Sequence, residues 1–542
     1  HNSRAFPRSP SNMASDSGIA SIPSNQGVAP VSSFLVASIL LLSGAVWYHR
    51  RRREGLTAPL PPGPRGLPLL GYLPFLGAHI HRSLAALAAN YGPIFKLYLG
   101  RKLCVVVTSP RIAEQVLLEQ DTTFANRDIV AAASVISYGG RNIAWAPYGD
   151  HWRKLRHAVV REMLNHPSLR ASRPLRRREV RRTVGEVYSQ RGGAVDVAGV
   201  VFQTSLRVLM SSIWGGTLRG EEGRRVGEEF RGMVAATVDL LGRPNVSDFF
   251  PAIARLDVQG VGRGTRKALA WSERILYPII ESRKKTMEKA GAGAAAEEVK
   301  SKEGKDFLQI LLELQRRDDV GSRLTDQDIK LVLLDVVVGG TDTTTTVVEW
   351  AMAELLQNPG IMEKAQEEVA KVVGRNNVVE ESHLEELHYL EAVVKETLRV
   401  HPVLPLLIPR RPSKECGVGG YTVPRGATIF INVWAIHRDP GEWEEASEFK
   451  PQRFLGEEDR WGYSGKNYEY LPFGSGRRIC PGIPLAEKMM MFILATLLHS
   501  FDWKLAVGEE LDLSDEFGVI LKKRVPLLAV PTPRLPSSDL YE

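Results

Sequence analysis

The stretch Pro472-Phe-Gly-Ser-Gly-Arg-Arg-Ile-Cys-Pro-Gly482 decides how the rest of the 542-residue chain is read. It carries the pattern F-x-x-G-x-R-x-C-x-G through Phe473, Gly476, Arg478, Cys480 and Gly482. Five typed positions at fixed spacing are more than a simple turn demands. One chemistry uses all of them. A thiolate ligand pushes electron density onto a haem iron and favours O–O cleavage. Such a sulfur needs backbone N–H groups close by, and a glycine-rich loop lets the backbone approach. Phe473 can shield the sulfur from water, and Arg478 can pair with an anionic haem propionate. The Pro481–Gly482 step turns into an apolar helix expected over Leu485–Leu498, whose N-terminus also favours a negative sulfur. Cys480 is then the metal ligand. The competing reading is an inert buried cysteine in a glycine-rich turn.

The composition agrees with an ordinary globular protein: 44% apolar and 24% charged residues exclude a disordered or fibrous chain. The net charge of +8 on so long a chain gives no reason to expect a nucleic-acid partner. The three cysteines, Cys104, Cys416 and Cys480, form neither a disulfide scaffold nor a C-x-x-C zinc half-site.

Val31–Tyr48 is uncharged and is followed by His49 and four arginines, Arg50–Arg53. At 1.5 Å per residue it would span roughly 27 Å, close to the hydrocarbon thickness of the endoplasmic reticulum. The basic cluster follows the apolar run, the reverse of a cleaved signal peptide. The positive-inside rule places these arginines in the cytosol. Residues 1–30 are thus expected as a short N-terminal segment, with 1–12 ahead of Met13 read as a non-native leader. Residues 31–49 are a single-pass anchor in membrane lipid, and 50–66 a basic, proline-rich hinge containing Leu60-Pro-Pro-Gly-Pro64. The competing reading of the apolar run is a buried core helix.

Residues 67–536 read as one mainly helical domain. Strands are expected at Ile94–Tyr98 and Leu103–Thr108. Helices are expected at Leu84–Tyr91, Arg111–Glu119, Asp150–Leu164, Arg266–Lys289, Asp306–Arg317, Thr325–Leu356 and Met362–Val373. Ala290–Lys305, rich in Ala, Gly, Lys and Glu, is expected as a surface loop. The sequon Asn245-Val-Ser247 would go unused in a cytosolic body. The sequence holds no internal repeat, no phosphate-binding loop and no nucleophile elbow.

The cysteine loop, the anchor and the proline segment together resemble a microsomal cytochrome P450, over roughly Pro61–Pro526. The resemblance implies a mainly α fold with small β-sheets. It also implies haem b as cofactor, and electrons drawn from NADPH through NADPH-cytochrome P450 reductase. Glu396 and Arg399 share one helix face at i and i+3; with Arg453 of Phe449-Lys-Pro-Gln-Arg-Phe454 they match the family's structural triad. Gln452 stands where the family usually has Glu. Trp152 and Arg156 match a W-x-x-x-R pair that meets the haem propionates, and Arg410 is a third propionate candidate. On the opposite face of that helix, Lys154, His157 and Arg161 offer a basic surface to an electron-transfer partner, or simply a solvated face.

Gly339-Gly-Thr-Asp-Thr-Thr344 resembles the oxygen-activation motif. Mid-helix glycines cost about 1 kcal/mol each against alanine, which suggests a function such as a local bulge. Asp342 and Thr343 are then the catalytic pair, relaying protons. The competing reading is that the threonines only bond back to carbonyls one turn earlier. By the same resemblance the substrate pocket is walled by Asp335, Val338, Gly339, Leu404, Leu407, Val519 and Ile520. That wall is mostly aliphatic, so it implies a small apolar substrate, with Asp335 the one group that could reach a hydroxyl. Val433–Pro440 and Asn245–Gly260 are similar to plant A-type P450s that oxidise sesquiterpenes and, in some members, flavonoids. The implied function is a haem-thiolate monooxygenase. The alternatives are a P450 that rearranges or dehydrates its substrate without external oxygen, and a non-enzymatic membrane-anchored haem protein.

Overall fold

A computed structural model describes residues 59–215, 220–292, 305–316, 323–456 and 460–542. The anchor expected at 31–49, the basic half of the hinge, and residues 293–304 of the expected loop lie outside them.

The architecture is organised by one long helix, Asp326–Gln357. Its start is fixed by a capping box: the Thr325 hydroxyl accepts from the Asp328 N–H, and the Asp328 carboxylate accepts from the Thr325 N–H, each at 3.1 Å. Around it pack helices Val197–Trp214, His388–Val400 and Ile483–Ser500. These three and the long helix share the largest apolar cluster. The long helix, Val197–Trp214 and Ile483–Ser500 are apolar and long enough to cross a membrane, but about two-thirds or more of each apolar window is buried inside the protein, so they are core helices.

Most expected elements form, with shifted ends. The Arg111–Glu119 and Asp150–Leu164 expectations each divide into a regular helix, Pro110–Glu114 and Asp150–Ala158, and a wider final turn, Gln115–Glu119 and Val159–Met163. Helices Arg173–Ser189, Val197–Trp214 and Gly220–Gly242 had no sequence expectation. Val197–Trp214 is buried on nearly every side, which leaves no amphipathic period to read.

The main sheet has five strands in the order Ile94–Leu99, Lys102–Val107, Thr428–Ile431, Arg410–Arg411, Asn126–Arg127. The first pair is antiparallel and the second parallel, with Cys104 opposite Thr428. Its far edge sets Arg127 directly opposite Arg410. A three-stranded sheet joins Val195–Asp196, Leu528–Pro533 and Phe501–Leu505. The proline segment is docked on the body: Pro62 accepts from Lys96 N–H at 2.7 Å and Pro59 from Thr422 N–H at 3.0 Å. At the other end the packing runs past residue 536 to Tyr541, which is buried and donates its hydroxyl to the Ser500 carbonyl. Asn245 of the sequon is buried, its side chain capping the turn Val246–Phe249.

Candidate active site

The Cys480 loop is held in shape by its own backbone. The Cys480 N–H donates to the Phe473 carbonyl at 3.0 Å, and the Gly482 N–H donates to the Cys480 sulfur at 3.3 Å. Helix Ile483–Ser500 starts immediately after. Gly476 has φ +67°, and a Cβ there would stand 2.4 Å from the Leu117 carbonyl oxygen, so only glycine fits. Burial pushes the Cys480 thiol up, opposed by the Gly482 N–H, Arg156 and the Ile483 N–H. Coordination to a cation would remove that proton outright. Cys480 and Arg156 line a cavity of about 520 Å³ together with Tyr463, Pro481 and Glu487. None of the expected substrate-pocket residues lines it.

Four arginines converge beside this loop. Arg478 donates from Nε to the Ala125 carbonyl at 2.6 Å and from Nη1 to the Ile143 carbonyl at 3.2 Å, and also reaches the Ala146 carbonyl. Its guanidinium lies 4.5 Å over the Trp152 ring, with Arg156 at 5.5 Å. Arg410 donates to the Ser475 carbonyl at 2.8 Å, and its other amino group, Nη1, lies 3.6 Å from Asp121 without a hydrogen bond. Arg127, placed against Arg410 by the sheet register, holds the Ala144 and Ile408 carbonyls. Burial lowers Arg410 to about 10 and Arg478 to about 9; for Arg478 the positive charges of Arg410 and Arg156 add to it. Arg127 is pushed well below the usual range by burial, then by Arg410, Arg478 and Arg156. Arg156 is lowered by burial. Among the described residues only the Asp121 carboxylate balances this cluster. Like charges facing each other across strands destabilise a sheet unless an anion lies between them. The donor set therefore fits a group that carries two carboxylates and would take Cys480 as a thiolate ligand, as haem would.

Sequence reasoning missed Arg127. No local motif marks it, because its role comes from strand pairing with Arg410. Trp152 sits where expected, but its indole N–H donates to the Ile143 carbonyl at 3.1 Å.

The triad assembles. Glu396 accepts from Arg399 Nε and Nη2 at 2.7 and 2.8 Å, from Arg453 Nε at 3.2 Å and from the Lys450 N–H at 2.7 Å. Glu396 and Arg399 are fully buried. Gln452 is exposed and takes no part.

On the long helix the two glycines differ. A Cβ at Gly339 would meet nothing within 4 Å, whereas one at Gly340 would stand 2.9 Å from Leu209. Gly339 thus faces open space and Gly340 lets helix Val197–Trp214 pack close. The expected bulge is absent: the helix is regular through both glycines. The Thr343 hydroxyl donates to the Gly339 carbonyl at 2.7 Å, the back-bonding alternative, but unlike its buried neighbours Thr341 and Thr344–Thr346 it stays part-exposed. Asp342 pairs with Lys522 at 2.5 Å, a partner absent from the sequence reading.

Asp335 departs from the expectation of a free carboxylate reaching a substrate hydroxyl. Oδ1 accepts from Asn142 Nδ2 at 2.6 Å and Oδ2 from the Ile143 N–H at 2.7 Å. The residue as a whole is only part-buried, yet its carboxylate is enclosed enough that burial lifts it to about 7 against these hydrogen bonds. It fastens the loop whose carbonyls hold Arg127, Arg478 and Trp152. Lys154 also departs from expectation: it donates to the Arg323 carbonyl at 2.8 Å and pairs with Asp328, while His157 and Arg161 remain exposed. Val338 and Leu404 are part-buried on the main cluster, as is Val519, and Ile520 is buried. Leu407, at φ +50°, lies against Gly474 of the cysteine loop rather than with them.

The sequence profile of the family described as Cytochrome P450 matches residues 61–529. The chain belongs to the cytochrome P450 family. It is similar to a flavonoid 3'-monooxygenase of Crocosmia x crocosmiiflora, 39% identical with 93% of this chain and 98% of the relative covered. It is similar to a geraniol 8-hydroxylase of Swertia mussotii, 40% identical with 88% and 94% covered, and to a carnosic acid synthase of Rosmarinus officinalis, 36% identical with 92% and 99% covered. A zebra fish cytochrome P450 solved with progesterone superposes with TM-score 0.72 at 25% identity, covering 84% of this chain and 99% of that one. The expected fold and the resemblance to plant A-type P450s stand. The chain is a cytochrome P450 monooxygenase, a family that uses haem b and takes electrons from NADPH through a reductase.

Proposed function

We propose that this P450 hydroxylates an apolar plant terpenoid, a sesquiterpenoid in the finer reading, by R–H + O2 + NADPH + H+ → R–OH + NADP+ + H2O. The observation that carries the choice is Asp335, both of whose oxygens are engaged by the 142–143 loop; the other pocket residues read from the sequence, Val338, Leu404, Val519 and Ile520, are aliphatic and in this reading would select by shape. Flavonoid 3'-hydroxylation is the second reading, favoured by the relative of that name at 39% identity. A flat phenol would have to find its hydrogen-bond partner elsewhere.

Bound haem supplies dioxygen activation at a thiolate-ligated iron. In this reading Cys480 is the ligand, with the Gly482 N–H tempering its charge. Arg127, Arg156, Arg410 and Arg478 hold the propionates. Thr343 and Asp342 deliver protons from the open side of the long helix. The redox partner is NADPH-cytochrome P450 reductase, meeting the exposed His157 and Arg161. The chain is anchored by residues 31–49 in the endoplasmic reticulum with its body in the cytosol. Exposed Leu69, Leu70, Phe75, Ile253 and Leu256 give the body apolar surface to rest on lipid.

The test is turnover in microsomes carrying the full chain, a plant reductase and NADPH, with sesquiterpenes, monoterpenes and flavonoids supplied in parallel. A terpenoid gaining one oxygen supports the reading. Oxidation of flavonoids alone moves it to the second.

A further inference from the structure

We propose that Lys522 is a positioning residue for Asp342 and ties the proton-delivering pair to the substrate-facing turn. The inference rests on the monooxygenase reading above. Lys522 Nζ lies 2.5 Å from Asp342 Oδ2, an ion pair whose geometry misses an aligned hydrogen bond. The Lys522 side chain is 34% exposed and that of Asp342 11%, so the pair runs from solvent to the interior edge of the long helix. A cation there holds the carboxylate in one rotamer. The neighbouring Lys523 serves elsewhere, its ammonium 5.0 Å over the Trp350 ring. Lys522 is thus the cation assigned to Asp342.

The lysine follows directly on Val519, Ile520 and Leu521. That turn is pinned at Leu521, whose N–H donates to the Val403 carbonyl at 2.9 Å and whose carbonyl accepts from Trp350 Nε1 at 3.3 Å. Its other side touches Gly242, where a Cβ would stand 2.6 Å from the Val519 nitrogen. A ligand pressing on Val519 or Ile520 therefore moves a short, tethered segment that ends on Asp342. Asp342 precedes Thr343, whose hydroxyl is part-exposed beside the open space at Gly339. Removing the ammonium frees the carboxylate and breaks the link between pocket occupancy and acid geometry. Electrons then leave by O2 + NADPH + H+ → H2O2 + NADP+ in place of hydroxylation.

The experiment uses the full chain with reductase and a terpenoid substrate, comparing the parent with Lys522→Gln and Lys522→Arg at equal haem content. The expected result is a several-fold rise in hydrogen peroxide per NADPH for Lys522→Gln, largely restored by Lys522→Arg. Parent-like coupling in Lys522→Gln overturns the proposal, as does a rise that Lys522→Arg shares in full. A second readout needs no substrate: thermal midpoints of Asp342→Asn, Lys522→Gln and the double variant. Non-additive shifts are expected, and additive ones overturn the pairing. A parent that lacks the carbon monoxide spectrum of a thiolate-bound haem would fail the monooxygenase reading instead, while the midpoint cycle still judges Lys522.

Discussion

Replacing Asp335 by asparagine tests how the long helix fastens the loop that feeds the arginine cluster. Asp335 carries its proton up to about pH 7, against a reference near 3.8. The folded protein binds this proton more tightly than the unfolded chain does. The group's contribution is therefore fully present below about pH 4 and is lost as pH rises through 7. Between pH 5 and pH 7 the unfolded carboxyl is ionised while the folded one is not, so each pH unit removes about 1.4 kcal/mol. Two units give about 3 kcal/mol. Asp335→Asn removes the titration but also turns an N–H2 toward one of two donors, Asn142 Nδ2 or the Ile143 N–H. The variant should be less stable than the parent at pH 5 and should lose most of that deficit by pH 8. The assay is denaturant unfolding of both proteins in matched buffers across that range, followed by tryptophan fluorescence. A stability difference that stays constant with pH would refute the burial argument. A variant with an undisturbed haem spectrum and no change in haem retention would refute the link from Asp335 through the loop to Arg127 and Arg478.

Glu396→Gln leaves Arg399 buried with no full counter-charge and should cost about 3–5 kcal/mol, read as a fall in thermal midpoint together with loss of haem loading. Thr343→Ala should keep the haem spectrum but raise hydrogen peroxide per NADPH; tight coupling in that variant would reduce the Thr343 hydroxyl to its bond with the Gly339 carbonyl. Arg161→Glu should slow flavin-to-haem electron transfer in stopped-flow reduction with stability unchanged, because Arg161 is exposed. Lys154→Glu should instead lower stability, since Lys154 is committed to Asp328 and the Arg323 carbonyl.

What could be read from the sequence lay within short segments. The Cys480 loop, the Glu396–Arg399 spacing and the Gly339–Thr344 run each hold their logic within one element, and each forms a coherent local structure. What escaped the sequence depends on contacts between distant segments. Arg127 sits on a two-residue strand and gains its place only by pairing with Arg410. Lys522 reads as one of three consecutive basic residues until the antiparallel pairing of Lys522–Lys523 with Asp515–Glu516 and the packing around it bring it to Asp342. Asp335 looks like a lone polar wall residue until the 142–143 loop closes on it. The two mid-helix glycines suggested a bulge, but the packing of Gly340 against Leu209 accounts for one and the open space at Gly339 for the other. Helix Val197–Trp214 was hidden by being buried on nearly every side.

In the proposed reaction this chain inserts one atom of dioxygen into an apolar substrate using electrons from NADPH. The most direct test is product analysis under isotopically labelled dioxygen, in microsomes containing the full chain and a plant reductase, with a Cys480→Ser variant alongside. The expected product is a hydroxylated terpenoid carrying one labelled oxygen, dependent on NADPH and absent with Cys480→Ser. A product without label, or one that persists in the Cys480→Ser variant, would contradict it.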